Sequence, residues 1–208
     1  MQTDKIIINS NGSGIKRAMK ESEKFGNYIN LSQQQALQLR LLSEEALNMI
    51  CEIVGDYEAI FYLQSERNRS KMNCELHIEA KAEIDIFQRD ELVKVSTSGE
   101  NKKDIGIMGK IRSLFGLKLS HDKGSDTFID YSGLDYCSVG MINPVSTYNM
   151  QSYWSLETYR QNLSEMKEKN SDAWDELEKS IIANIADDVT VGVDNENVEL
   201  VIKKTFSN

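Results

Sequence analysis

The sequence has few of the residues that mark disulfide-rich proteins, zinc proteins and hydrolases. Its 208 residues include three cysteines, two histidines and one proline. Cys51, Cys74 and Cys137 lie far apart and form no Cys-x-x-Cys pair, which argues against a disulfide framework or a cysteine zinc site and favours a reducing cytoplasm. No pattern around His77 or His121 marks a catalytic triad. His77 alternates outward in the stretch NCELHIEAK, so we expect it to be exposed.

Long apolar runs and an excess of positive charge are also missing. No stretch approaches the roughly 18 apolar residues of a membrane span, so none is predicted. Three isoleucines near the N-terminus precede no cleavage-site pattern, so we expect no signal peptide. The formal net charge of −9 makes nucleic acid a poor partner, although Lys102, Lys103, Lys110 and Arg112 form a local basic cluster.

The composition, 40% hydrophobic and 27% charged, predicts one globular domain over residues 1–208 with a long insertion at about 96–170. The clearest helix follows Ser32, which forms a predicted capping box with Gln35 and precedes a stop at Gly55. Its apolar stripe should pack on a sheet. The stripe consists of Leu39, Leu42, Ala46, Met49, Ile50 and Ile53.

The other elements predict a sheet covered by helices. We expect a helix over 15–25 ended by Gly26, strands over 58–64 and 73–81 joined by a loop, and a helix over 86–95. After an irregular insertion at 117–153 we expect helices over 155–169 and about 171–187, the second with Leu177, Ile181 and Ile185 inward. A hairpin over 189–204 ends the pattern. The fold class is therefore a two-layer α/β sandwich with a mainly antiparallel sheet.

One polar pair interrupts the clearest helix. Glu44 and Asn48 lie one turn apart on the side away from the apolar stripe, so their side chains are neighbours. An amide oxygen can bind a divalent cation, and a carboxylate beside it can orient or deprotonate water. A solvated helix face explains the same spacing, which occurs again at Glu23 and Asn27.

Three parts of the sequence together resemble the GHKL superfamily of histidine-kinase-like ATPases. They are the stretch LSQQQALQLRLLSEEALNMICEI, the two strands after it and the ending LEKSIIANIADDVTVGVDNENVELVIKK. The closest pattern is that of the anti-sigma-factor serine kinases, and the resemblance covers about 30–90 and 172–204. It implies a bacterial, cytoplasmic, ATP-binding regulatory protein. It also implies that Asn48 binds magnesium on ATP, that Glu44 is the catalytic base, and that the partner is another regulatory protein.

The sequence departs from this family where the second strand ends. Ala80 and Ala82 stand where the family's Asp-x-Gly-x-Gly turn would begin, and that aspartate reads adenine. A second hypothesis is therefore a relative that kept the fold, lost the nucleotide and acts as a protein-interaction module. If the chain is an enzyme, we expect a protein serine/threonine kinase or a weak ATPase. A homodimer is compatible with either hypothesis.

A glycine- and lysine-rich segment, SGENKKDIGIMGK, is the candidate lid over the phosphates. Glycines free backbone N–H groups for an anion, and lysines supply positive charge. A surface loop without a ligand is the alternative. The cofactor-binding residues expected here are Ser98, Gly99, Lys103, Gly106, Gly109 and Lys110.

Overall fold

A six-stranded antiparallel sheet lies at the centre of the fold, in the order β1-β2-β3-β6-β5-β4. The computed structural model describes residues 1–54, 56–82, 152–165, 175, 177–194 and 197–207. The predicted helix at 86–95 and most of the insertion lie outside these residues. The strands are β1 (Ile6–Asn9), β2 (Tyr57–Asn68), β3 (Lys71–Ala82), β4 (Ser152–Ser155), β5 (Asp188–Asp194) and β6 (Asn197–Ser207).

Helices pack against the sheet, which confirms the predicted α/β sandwich. They are α1 (Ile15–Tyr28), α2 (Gln33–Val54), α3 (Leu156–Glu165) and α4 (Ile181–Ile185). Within the described ranges, none of them combines the length and the apolar character needed to cross a bilayer. The prediction that Gly26 ends α1 is wrong. Gly26 is buried inside α1, and an added Cβ would lie 3.4 Å from the Cβ of Ala36, so the glycine permits close packing.

Helix α2 has the capping box and the buried stripe that its sequence predicts. The backbone N–H of Ser32 donates to Gln35 Oε1 at 2.9 Å, and the N–H of Gln35 donates to Ser32 Oγ at 3.3 Å. All six stripe residues are at most 7% exposed. Burial of this stripe provides most of the free energy that holds a helix of this kind in place. Gly55 lies outside the described residues.

Strands β2 and β3 alternate between a core-facing side and a second side, which we call the open face. Phe61, Leu63, Leu76 and Ile78 face the core and are at most 2% exposed. The predicted loop at 65–72 is wrong, because both strands extend through it and only a two-residue turn at 69–70 remains. Alternation continues into this polar stretch, where Met72 is still buried.

The two edge strands were not predicted. In β1, Ile6 and Ile8 face the core at 2% and 0% exposure, while Ile7 is exposed. In β4, which pairs with β5, Trp154 is fully buried. Each edge strand has four residues, too few for a period in the sequence, and is defined by pairing with its neighbour.

The single helix predicted at about 171–187 is wrong in its second half. Ser180 has extended backbone angles and begins a new helix, α4, by accepting a hydrogen bond from the N–H of Ala183. The break rotates the helical face. Ile182 is therefore buried, while Ile181 is 47% exposed rather than inward, and Leu177 is buried as predicted.

Asp187 and Asp188 follow α4 and form hydrogen bonds to β6 and α3. Asp187 Oδ2 accepts a hydrogen bond from the N–H of Thr205 at 2.7 Å. Asp188 Oδ1 accepts from the N–H of Glu157 at 3.0 Å and so caps the start of α3. Arg160 donates to the carbonyl oxygens of Ala183, Ala186 and Asp187. Asp187 and Asp188 therefore have structural roles.

Two glycines in the loop between β1 and α1 give a matched stability test. Gly12 and Gly14 both have positive φ, at 86° and 82°. A Cβ on Gly12 would meet no atom within 4 Å, whereas one on Gly14 would overlap the carbonyl oxygen of Ile7. Gly12→Ala should cost about 1–2 kcal/mol through backbone strain alone. Gly14→Ala should cost clearly more, as measured by urea unfolding, and equal losses would contradict the steric explanation.

Candidate functional site

Glu44 and Asn48 project from α2 on the side opposite its buried stripe, and both are exposed. In a helix the Cα–Cβ bonds tilt toward the N-terminus, so the Asn48 side chain leans toward Glu44. Neither side chain forms a hydrogen bond or an ion pair in the part of the chain that the structure describes. A carboxylate and an amide oxygen are therefore available together to a ligand.

The second Glu-x-x-x-Asn spacing, on α1, differs in its surroundings. Glu23 and Asn27 are also exposed. Glu23 Oε1, however, lies 2.7 Å from Nη1 of Arg40 on α2, so this carboxylate pairs the two helices. The same spacing thus has an interhelix contact at Glu23 on α1, whereas Glu44 on α2 has no partner within the described ranges. This contrast separates the two pairs, which sequence spacing alone could not do.

The donor set on α2 fits a cation carried by a nucleotide. Magnesium on a nucleotide takes most of its oxygen ligands from phosphates and water and only one or two from protein. The described residues contain no group of three or more His, Cys, Asp or Glu side chains that could hold a metal ion alone. The amide oxygen of Asn48 could supply one such ligand, with the carboxylate of Glu44 one turn away.

The remaining predicted site residues lie outside the described part of the chain. They belong to the glycine- and lysine-rich segment, and their role in covering phosphates stays a prediction. These residues are Ser98, Gly99, Lys103, Gly106, Gly109 and Lys110.

Ala80 is a buried methyl group at the position where the resemblance to histidine-kinase-like ATPases would place an adenine-reading aspartate. It is 2% exposed on the core side of β3, with Ala59 and Val198 beside it on the neighbouring strands. The side chain offers no hydrogen-bond acceptor there. Adenine is therefore not recognised from this position.

On the open face, the prediction that His77 is exposed is wrong, because the residue is 8% exposed. Its ring stacks on Tyr62 of β2 with centroids 4.6 Å apart and planes 1° apart. Val201 of β6 flanks it on the other side, and its Nε2 lies 3.3 Å from Glu75 Oε2. The alternation placed His77 on the correct face, but its two neighbouring strands bury it.

Tyr62 connects this stack to charged side chains. Its hydroxyl donates to Glu79 Oε1 at 2.8 Å, and Lys5 Nζ lies 4.7 Å from the ring centroid and 3.7 Å from the same carboxylate oxygen. Burial, followed by the hydrogen bond and the negative charge of Glu79, raises the pKa of Tyr62 to about 12. The negative charges of Glu199 and Glu75 act in the same direction.

A cleft of about 560 Å³ lies on the open face, across β2, β3, β6 and β5. Its charged lining residues are Glu58, Glu79, Lys81 and Glu199. Glu79 and Glu199 lie directly opposite each other on neighbouring strands, an unfavourable pairing of like charges. Even with Lys5 paired to Glu79, the carboxylates outnumber the ammonium groups, so this cleft suits a cationic ligand better than a polyphosphate. The open face is therefore a poor place for ATP.

Comparisons with known proteins add no relative to this picture. No family model, curated protein or solved structure matches the chain. The likeness to histidine-kinase-like ATPases therefore rests on the sequence patterns described above and stays a prediction.

The raised pKa of Tyr62 predicts a loss of stability at alkaline pH. In the unfolded chain the phenol titrates near 10, and in the folded protein at about 12. The stabilisation is complete below pH 10 and is lost as pH rises from 10 to 12. Unfolding by urea at several pH values should show a smaller loss in Tyr62→Phe than in the native chain. Part of the loss should remain, because burial also raises the pKa of Tyr57 and of the Cys74 thiol.

Tyr28→Phe is the control for this test. Tyr28 is 71% exposed and lies on α1, outside the stack. Its removal should leave the loss between pH 10 and 12 unchanged. If Tyr62→Phe retains that loss in full, Tyr62 does not contribute to the alkaline loss of stability.

Proposed function

We propose that this chain is a magnesium–ATP-binding regulatory protein of the histidine-kinase-like ATPase type. The observation that carries the proposal is the pair Glu44 and Asn48, exposed together on the outer side of α2 with no hydrogen-bond or ion-pair partner among the described residues. The two-layer sandwich, in the element order that the sequence resemblance implies, supports it. The acidic cleft on the open face supports it indirectly, because that surface disfavours phosphate.

In this proposal each residue of the pair has one role. The amide oxygen of Asn48 is a ligand of magnesium, which neutralises phosphate charge when bound. The carboxylate of Glu44 accepts a hydrogen bond from the attacking hydroxyl or water and takes its proton. Ser98, Gly99, Lys103, Gly106, Gly109 and Lys110 cover the phosphates. If the attacking group is a serine or threonine hydroxyl, the substrate is a partner protein and the activity is that of a kinase.

The proposed setting follows from charge and composition. A net charge of −9 disfavours nucleic acid, so the proposed partner is another regulatory protein. Three separated cysteines without a Cys-x-x-Cys pair suit a cytoplasmic protein. A homodimer is compatible with the proposal and is not required by it.

Ala80 favours a second candidate function. Its buried methyl group removes the family's contact to adenine. A chain that kept this fold and lost nucleotide binding would act as a protein-interaction module. The two functions differ in one measurable property, which is whether a nucleotide stabilises the folded chain.

Thermal unfolding with and without Mg-ATP separates these functions. A ligand that binds only the folded state stabilises it by about 2.7 kcal/mol at roughly a hundred times its dissociation constant. We expect the native chain to shift upward and Asn48→Ala to lose most of the shift. We also expect the shift to disappear when EDTA removes magnesium.

The matched control is Asn27→Ala, which truncates the asparagine of the second Glu-x-x-x-Asn spacing on α1. This variant should keep the full Mg-ATP shift. No shift of the native chain at millimolar Mg-ATP would eliminate the nucleotide-binding proposal and leave the interaction module. A shift that survives Asn48→Ala would eliminate the role assigned to Asn48.

A further inference from the structure

Arg40 continues the line of functional side chains on α2. Arg40, Glu44 and Asn48 follow one another at intervals of four residues, and all three are exposed. Because helical side chains lean toward the N-terminus, Asn48 approaches Glu44, and Glu44 approaches the position of Arg40. The order along the helix is therefore a guanidinium, a carboxylate and an amide.

The charges on α2 make Arg40 important for binding a phosphate. Arg40 is the only basic residue among the residues of α2, which also carries the carboxylates of Glu44, Glu45 and Glu52. A magnesium–nucleotide complex still carries net negative charge. Carboxylates alone would repel it, so a phosphate site on this helix surface requires a nearby cation.

The ion pair between Arg40 and Glu23 is weak enough for Arg40 to exchange Glu23 for another anion. Arg40 Nη1 lies 2.7 Å from Glu23 Oε1, and the two side chains are 50% and 49% exposed. An exposed ion pair of this kind contributes little to stability, because water screens the two charges. The guanidinium has five N–H donors in a planar fork, an arrangement that matches two oxygens of one phosphate. A phosphate can therefore compete with Glu23.

We propose that Arg40 binds the terminal phosphate of the nucleotide and leaves Glu23 when it does so. This inference rests on the proposed function, in which Asn48 would hold the magnesium of the nucleotide and Glu44 would take the proton of the attacking group. Arg40 lies one turn beyond Glu44, away from Asn48, so it meets the last phosphate of the chain. It therefore makes the site selective for a nucleoside triphosphate over a diphosphate.

Calorimetric titration with Mg-ATP and Mg-ADP tests this inference on the full chain. Arg40→Gln should weaken Mg-ATP binding about tenfold, through loss of a charge-assisted contact, and change Mg-ADP binding less than about twofold. Arg40→Lys, which keeps the charge without the fork, should fall between Arg40→Gln and the native chain. Glu23→Gln removes the competing carboxylate and should tighten Mg-ATP binding about two- to threefold.

The neighbouring pair on α1 supplies matched controls. Lys24 Nζ lies 3.4 Å from Glu21 Oε2, also at the surface. Lys24→Gln and Glu21→Gln make the same charge changes as Arg40→Gln and Glu23→Gln, and both should leave the preference for Mg-ATP unchanged. Urea unfolding of each variant verifies that it is folded.

The possible results distinguish failure of the role of Arg40 from failure of the proposed function. If the native chain binds neither nucleotide, the proposed function fails and this inference fails with it. If the native chain binds Mg-ATP and Asn48→Ala abolishes binding, but Arg40→Gln has no effect, only the role of Arg40 is wrong. Equal losses from Arg40→Gln and Lys24→Gln, or equal losses for both nucleotides, would also overturn it.

Discussion

Burial of one apolar stripe of α2 against one face of the sheet is the contact on which the rest of the structure depends. The six stripe residues are at most 7% exposed, and they meet strands β3 and β6 at the centre of the sheet. Once this face is buried, the helical period leaves Glu44 and Asn48 on the outside. The strand period likewise sends Tyr62 and His77 to the open face. The packing of the core thus determines which polar side chains are placed outside the core, where a ligand can reach them.

The two outer surfaces that result differ in charge and therefore in the ligands they suit. The open face brings Glu58, Glu79 and Glu199 around one cleft, and Lys81 is the single cationic lining residue in the part of the chain that the structure describes. The outer side of α2 presents Glu44 and Asn48 beside Arg40, whose partner Glu23 belongs to another helix. A polyphosphate with its cation suits the second surface, which combines oxygen ligands with an exchangeable guanidinium. The α2 surface is accordingly the one to which we assign the nucleotide.

The sequence predicted the parts of this arrangement that depend on local periodicity. The capping box at Ser32, the buried stripe of α2 and the central strands follow from spacing alone, and all are present. The burial of His77 could not be predicted, because it depends on which residues the neighbouring strands place beside it. The contact between Arg40 and Glu23 was missed for a similar reason. The position of Arg40 one turn before Glu44 was visible in the sequence, but the packing of α1 on α2 was not.

The most direct test of the account is to locate the nucleotide on the folded chain. Manganese substitutes for magnesium on ATP and broadens NMR signals of nearby groups. With Mn-ATP, the side-chain amide signals of Asn48 should broaden strongly, while the backbone signal of Gly192 in the open-face cleft should remain sharp. Broadening at Gly192 with a sharp Asn48 would place the ligand on the opposite surface and contradict the account, as would the absence of any broadening.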